Sequence, residues 1–340
     1  MQHRPALDPA VAEVRRAVRA VLAGLPADAT VVVALSGGAD SLALTAAAAF
    51  EAPKLGLRVE SVTVDHGLQP GSAEVAARAA AVAAGLGLAA RVVAVEVSGA
   101  GGPEAAAREA RYGALRAAAR AAGAFVVLLA HTLDDQAESV LLGLARGSGA
   151  ASLAGMAPDR VDADGIRWIR PLLAVRRTTT RAACRAAGLD PWDDPHNHEP
   201  RFARVRVREA VLPVLERELG PGVAEALART AEQLREDNAA FAAMIEETIE
   251  DIVEHAEAGI AVSVSALAAN PPALRHRIIR HVVASEFGTS LSRAQTIEVA
   301  RLATDWAGQG PVDLPGCSAR RVAGRIEFSS GAARPPLSPQ

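Results

Sequence analysis

Short apolar runs of strand length recur through the first part of this chain, at 31–35 (VVVAL), 59–64 (VESVTV), 91–95 (RVVAV), 125–130 (FVVLLA) and, more weakly, 166–170 (IRWIR). Between them, the stretches near 40–50, 72–87, 103–122 and 134–145 read as helices. Regular alternation of strand and helix predicts an α/β fold: an open parallel sheet with helices on both faces, whose ligands bind beyond the carboxyl ends of the strands. After about residue 215 the strand pattern stops, and amphipathic helices are expected over 221–257, 271–287 and 291–304. The pattern therefore predicts a first domain over 1–215 and a smaller, mainly helical domain over 216–330. Within the latter, "GPVDLPGCSARRVAGRIEF" reads as a short hairpin or extended segment, and 331–340 as a disordered tail.

Composition narrows the chemistry. Half of the 340 residues are apolar, as in a folded globular protein. No run approaches the ~18 apolar residues of a membrane span, and the first residues lack the layout of a signal peptide, so a cytoplasmic protein without a membrane role is expected. The two cysteines, Cys184 and Cys317, lie far apart and outside any paired motif, which argues against a disulfide framework, a zinc ribbon or a cysteine-ligated cluster. Lys54 is the only lysine, so every other basic residue of the Lys and Arg set is arginine. A net charge of −3 argues against non-specific coating of nucleic acid, while a local basic surface stays open.

The first strand runs into "SGGADS", Ser36, Gly37, Gly38, Ala39, Asp40 and Ser41, and then into a helix. Such a turn aims backbone N–H groups and the positive helix end at one point, an anion site suited to phosphate. It is neither a Walker A loop nor a Gly-x-Gly-x-x-Gly fingerprint. Without a lysine, charge balance falls to backbone amides, arginine and Mg2+, for which Asp40 is the candidate ligand. A plain glycine turn in any α/β domain explains the stretch equally well.

Further segments separate the two readings. "SGGADS" resembles the pyrophosphate-binding loop of the N-type ATP pyrophosphatases, the PP-loop superfamily. Five segments narrow the resemblance to the bacterial tRNA(Ile)-lysidine synthetase family: "VDHGLQPGS" at 64–72, "AAAREARYGAL" at 105–115, "AHTLDDQAESVLLGLARGSG" at 130–149, "RPLL" at 170–173 and "DDPHNHEPRFARVRVREAVLPVL" at 193–215. They occur in family order over 30–215, with Gln69, Ser139 and Ser152 as small departures. The resemblance implies a Rossmann-like first domain that uses ATP and Mg2+ to adenylate the 2-carbonyl of the wobble cytidine in tRNA(Ile) with a CAU anticodon. The amine of L-lysine then displaces AMP. Its partners would be that tRNA and L-lysine, and a homodimer is left open.

The lysine amine, with a solution pKa near ~10.4, is almost wholly protonated at neutral pH, so a nearby base would help. If 131–138 is helical, His131, Asp134, Asp135 and Glu138 share one face and Leu133, Ala137, Val140 and Leu144 the opposite one. By resemblance, Asp135 and Glu138 bind and orient lysine, one of them as base, and His131 contacts ATP or the reacting carbonyl. A metal site or a solvated helix start are the competing readings of the same residues. Arg111 is expected to neutralise the triphosphate or the adenylated intermediate, unless it is an ordinary helix-surface arginine. Asp65 and His66 end the second strand, where such folds meet adenine or ribose, and turn chemistry before Gly67 explains them equally well.

For RNA, Arg176, Arg177, Arg181 and Arg185 lie in a stretch without acids, followed by Arg201, Arg204, Arg206 and Arg208, whereas 232–257 carries nine acids against one arginine. The asymmetry predicts phosphate contact through Arg176, Arg177, Arg201, Arg204, Arg206 and Arg208, with the acidic helix facing away. A salt-bridged surface is the bland alternative. Two other functions compete: a 2-thiocytidine synthetase with the same loop, which would want clustered cysteines, and a nucleotide-binding module without catalysis.

Overall fold

The computed structural model of the protein describes residues 7–97, 102–147, 149–256 and 259–330. The expected tail at 331–340 lies outside them. The chain divides into two units, Met1–Arg235 and Glu236–Gln340.

The first unit is built on a six-stranded sheet of β1 (Thr30–Ala34), β2 (Arg58–Asp65), β3 (Ala89–Ala94), β4 (Val126–Leu128), β5 (Asp159–Val161) and β6 (Arg167–Ile169), in the order β3-β2-β1-β4-β6-β5. All neighbours are parallel except the β5–β6 pair, and Val31 sits opposite both Val59 and Val126. Because side chains alternate across a strand, the apolar run of β1 serves two layers. Val31 and Val33 enter a core with Val126, Leu128 and residues of α1 (Pro9–Leu22), α2 (Ala39–Glu51), α3 (Ser72–Gly85) and α7 (Arg177–Ala186). Val32 and Val127 face the other way, against Leu115, Ala118 and Ala119 of α4 (Pro103–Ala121) and Trp168. Neither α1, started by the Asp8 side chain on the amides of Ala10 and Val11, nor α7 was expected from the sequence.

The unit continues past residue 215. After α5 (Leu133–Ala145) and the single turn α6 (Ala150–Leu153), the chain reaches α8 (Ala203–Arg206), a π turn at Val207–Val211, α9 (Leu212–Leu219) and α10 (Val223–Ile252). Val207, Leu212 and Ala224 pack on Leu133 and Ala137, so the apolar face of α5 is covered by this later segment. The division between units falls within α10.

The second unit is not helical throughout. Beside α11 (Val264–Ala269), α12 (Pro272–Phe287) and α13 (Arg293–Thr304), it holds a sheet of β7 (Val253–Ala256), β8 (Gly259–Ser263), β9 (Val312–Leu314), β10 (Cys317–Val322) and β11 (Arg325–Ser330), ordered β7-β8-β11-β10-β9 and antiparallel throughout. The hairpin expected near the end is β10–β11, paired from Cys317–Ser330 to Val322–Arg325. Ile278, Val282, Val299, Leu302, Ala319 and Phe328 form its core. No helix among the described residues is long and apolar enough to cross a membrane.

Candidate active site

The carboxyl ends of β1 and β4 open on a cavity of about 570 Å³ in the first unit. At its β1 side, residues 36–41 turn into α2. Gly37 has φ +85°, a conformation that favours glycine, and a Cβ there would also stand 3.5 Å from the Ala79 side chain. The Ser41 hydroxyl donates to Gly38 O at 2.9 Å and accepts from Ser36 N at 3.1 Å, so Ser41 shapes the loop from within. Trp192 N donates to Gly37 O at 3.0 Å, and the Cys184 thiol to Ala39 O at 3.2 Å. No side chain caps α2, whose N-cap is Gly38. Its first-turn amides, which have no intrahelical acceptors, and its positive dipole end are therefore available to an anion, and Ser36, Gly38, Ala39, Asp40 and Ser41 line the cavity.

Asp40 joins this loop to α7. It accepts from the Thr180 hydroxyl and lies 3.5 Å from Arg177 Nε. Burial pushes its carboxyl above the ordinary value, with Asp135 and Asp134 adding to the shift and Thr180 and Arg177 opposing it.

A knot of ions sits beside it. The α5 start is a capping box in which Thr132 N and Oγ1 each donate to Asp135 Oδ2 at 2.8 Å. Arg177 donates to Asp135 Oδ1 at 2.7 Å and to Glu138 Oε1 at 3.0 Å. Glu138, whose side chain is 0% exposed, also accepts from Arg208 Nε at 2.8 Å and Nη2 at 3.1 Å. Asp134 takes Arg176 at 3.1 Å and the Arg177 amide at 2.7 Å. Burial by itself would raise the Asp135 carboxyl, but the Arg177 charge and the Thr132 bonds outweigh it and hold the group below its ordinary value. Asp135, Arg177 and Arg208 line the cavity, whereas Glu138 lies behind them.

Another part of the lining carries Arg111 and His131. Arg111 lines the cavity with no acidic partner among the described residues, its guanidinium 5.9 Å from the Tyr112 ring centroid. His131 is held neutral chiefly by burial, with Arg170, Arg111 and Arg108 adding to the effect, and its Nδ1 is buried without a hydrogen bond. Arg170 of the "RPLL" segment is buried behind it, donating to Ala157 O at 2.8 Å.

The remaining predicted residues are placed as follows. Asp65 and His66 are outside the cavity lining: Asp65 Oδ1 accepts from Gly67 N at 3.0 Å, and His66 Nδ1 from Leu68 N at 3.3 Å. Arg176 is shared among Asp134, Glu216 and Glu225 at 3.1, 3.7 and 3.2 Å. Arg201 pairs with Glu199, Arg204 donates to Ser139 Oγ at 3.2 Å, and Arg206 donates to the carbonyls of Pro200 and Arg201. Sequence reading gave no cavity role to Tyr112, Arg181, Arg185, Asp193, Asn197 or His198, which all line the site. The four-residue spacing of Arg177, Arg181 and Arg185 on α7 is the signal that could have found the second and third. Among the described residues no three His, Cys, Asp or Glu side chains form a group able to hold a metal.

Known families match the chain over two segments. Residues 11–215 match the family model of a PP-loop domain, and 263–327 that of a TilS substrate binding domain. The chain is 61% identical over 302 residues to the tRNA(Ile)-lysidine synthase of Leifsonia xyli, covering 88% of this chain and 90% of that one. It is 52% identical to the enzyme of the same name from Salinispora tropica, covering 94% and 97%. Among solved structures, the U34-tRNA thiolase NcsA of Methanococcus maripaludis, with its [4Fe-4S] cluster, superposes with a TM-score of 0.57 at 20% identity, over 67% of this chain and 80% of the other. That likeness is one of fold.

Proposed function

The chain belongs to the tRNA(Ile)-lysidine synthase family, and from that premise we propose that the cavity ligates L-lysine to C2 of the wobble cytidine in tRNA(Ile) with a CAU anticodon, releasing AMP and pyrophosphate. The observation that carries this reading is the arrangement of charge around one cavity: an uncapped helix start, an Arg111 without an acidic partner among the described residues and the Asp135 carboxylate all face it.

Each step uses residues already described. The first-turn amides of α2 take the ATP phosphates, held in place by the Ser36–Ser41 bonding inside the loop. The cytidine O2 attacks the α-phosphorus and pyrophosphate leaves, while Arg111 meets the charge developing on that phosphate. Neutral His131 offers a hydrogen-bonding imidazole toward the nucleotide without adding to the positive charge of that part of the lining. The lysine ammonium enters against Asp135, whose lowered pKa keeps it anionic and suits it to orienting the amine by charge. After giving a proton to solvent, the amine attacks C2, the C2–O bond to the adenylate breaks and AMP departs. Glu138 keeps Arg177 and Arg208 at the cavity wall.

The residues fit a magnesium ion that arrives with ATP. Asp40 supplies one carboxylate at the phosphate loop, and Mg2+ is commonly held by one or two carboxylates plus substrate phosphates and water. Its chemistry there is neutralisation of phosphate charge.

A 2-thiocytidine synthetase is disfavoured by the thiols. The chain has two cysteines, too few for a cluster held by four thiolates. Burial pushes the Cys184 thiol up to about 11, leaving it protonated as a donor to Ala39 O.

The test is incubation of the protein with labelled lysine, Mg-ATP and unmodified tRNA(Ile) bearing CAU, beside tRNA(Met). Selective labelling of tRNA(Ile) is expected, reduced about 10²–10³-fold by Asp40→Ala, the size of effect seen when one group of an electrostatic site is removed. AMP release without labelled RNA would make the substrate assignment wrong, and untouched ATP would favour a binding module.

A further inference from the structure

On α12 and α13 the second unit gathers basic side chains that pair with no acid among the described residues. His276 and Arg280 lie one turn apart on α12, and Arg293 stands at the first position of α13, just after its Ser292 cap. Among the described residues of this unit, the ion pairs are Arg320–Glu327 and Arg325–Glu254, so none of the three is paired. Their basic neighbours are tied down differently. Arg277 lies 4.0 Å above the Phe241 ring and donates to Asn238 Oδ1 at 3.4 Å, and Arg275 donates to the carbonyls of Leu267 and Asn270. Arg275 and Arg277 thus serve the fold, whereas among the described residues His276, Arg280 and Arg293 make no hydrogen bond or ion pair that stabilises it.

They also oppose it. Arg293 places a cation at the positive end of a helix, where the dipole disfavours it. Burial lowers the proton affinity of both Arg280 and His276, and neighbouring arginines lower it further: Arg277 and Arg293 at Arg280, and Arg280, Arg275 and Arg293 at His276. Such self-repulsion on a half-exposed face is relieved by a polyanion.

We propose that His276, Arg280 and Arg293 form a docking face for the ribose-phosphate backbone of the substrate tRNA. The inference rests on the lysidine reading above and adds to it the surface that holds the RNA. Charge complementarity selects the partner, and the face lies within residues 263–327, the segment that matches a substrate binding domain. Phosphate contacts position a nucleic acid without reading its sequence, so this face supplies affinity and leaves the choice between tRNA(Ile) and tRNA(Met) to the first unit.

The experiment measures binding of the full-length protein to tRNA(Ile) and tRNA(Met) transcripts across a salt series, for wild type, Arg280→Gln/Arg293→Gln and Arg280→Lys/Arg293→Lys, with lysine ligation followed in parallel. Loss of two phosphate contacts should weaken both tRNAs by about tenfold or more and lower the salt slope by about 1.4–1.8. The lysine pair should stay near wild type. KM for tRNA should rise while kcat at saturating tRNA is unchanged, and the thermal midpoint should hold or rise because repulsion is relieved. An unchanged Kd and salt slope in the glutamine pair overturns the docking face. If the glutamine pair shows the expected slope change but the wild-type protein ligates no lysine, the reaction is overturned instead.

Discussion

The arginines around α7 and α8 and those on α12 and α13 are the same side chain in opposite circumstances. Arg177 is almost enclosed, and Asp135, Glu138 and Asp40 surround it; the carboxylates raise its hold on its proton although burial works against them. Arg280 is half-buried among other arginines and holds its proton less firmly than usual. The difference lies in what the fold brings to each from elsewhere in the chain. Glu138 is 39 residues from Arg177 in sequence, and Asp40 contacts α7 from 140 residues away. Guanidinium groups that meet distant carboxylates become part of the scaffold, and those that meet none remain available to a ligand.

The contrast breaks if both arginines respond alike to truncation. Arg177→Ala would remove the cation that Asp135, Glu138 and Asp40 share, leaving Arg208 as the main counter-charge to the buried Glu138, and removing one partner of a buried pair costs about 3–5 kcal/mol. Denaturant unfolding should show a loss of that size. Arg280→Ala should change stability by less than about 0.5 kcal/mol or increase it. A mild effect at Arg177 would mean that the knot is hydrated and its charges are screened.

A smaller effect follows from pH. His131 has its folded pKa lowered beneath the ordinary 6.5, mainly by burial, so the unfolded chain binds more protons in the interval between the two values. Its contribution to stability is therefore full above pH 6.5 and is lost as pH falls toward the lowered folded value. One such group gives a slope of up to about 1.4 kcal/mol per pH unit. Unfolding free energies of wild type and His131→Gln between pH 7 and 5 should diverge accordingly, with the variant flatter by about one proton. Parallel profiles would place His131 in contact with water.

The same distinction explains what could be read in advance. The β1–α2 loop was legible because an apolar strand, a glycine turn and a helix follow in order, so local chemistry reports the structure. The polar face of α5 was legible because Asp134, Asp135 and Glu138 repeat at helical spacing, although His131, expected on the same face, precedes the helix, which starts at Leu133 after its Thr132 cap. By contrast, α7 buries only Thr180, Ala183 and Cys184, too small and mixed a set to show an apolar stripe, and β5 is a three-residue strand exposed throughout. The stretch 176–208 looked free because acids are absent from its first part; the acids that occupy Arg176 come from Asp134, Glu216 and Glu225. The α12–α13 face gave no run of charge at all, since His276, Arg280 and Arg293 are sparse in sequence and meet only when two helices pack.

The smallest expected effect separates pairing from burial. Arg320 pairs with Glu327 across β10 and β11 at 2.9 Å, so it has the acidic partner that Arg280 lacks, yet its side chain is 57% exposed. If pairing alone made an arginine structural, Arg320→Ala would resemble Arg177→Ala. If enclosure is also required, water and salt screen the pair and a cross-strand ion pair of this kind contributes roughly 0.2–1 kcal/mol. We expect a loss of no more than about 0.5 kcal/mol in denaturant unfolding at 0.15 M salt, shrinking further as salt is added. A loss that stays large in high salt would show that a cross-strand charge pair at the surface can anchor this sheet, and burial would then no longer distinguish Arg177 from the arginines outside the knot.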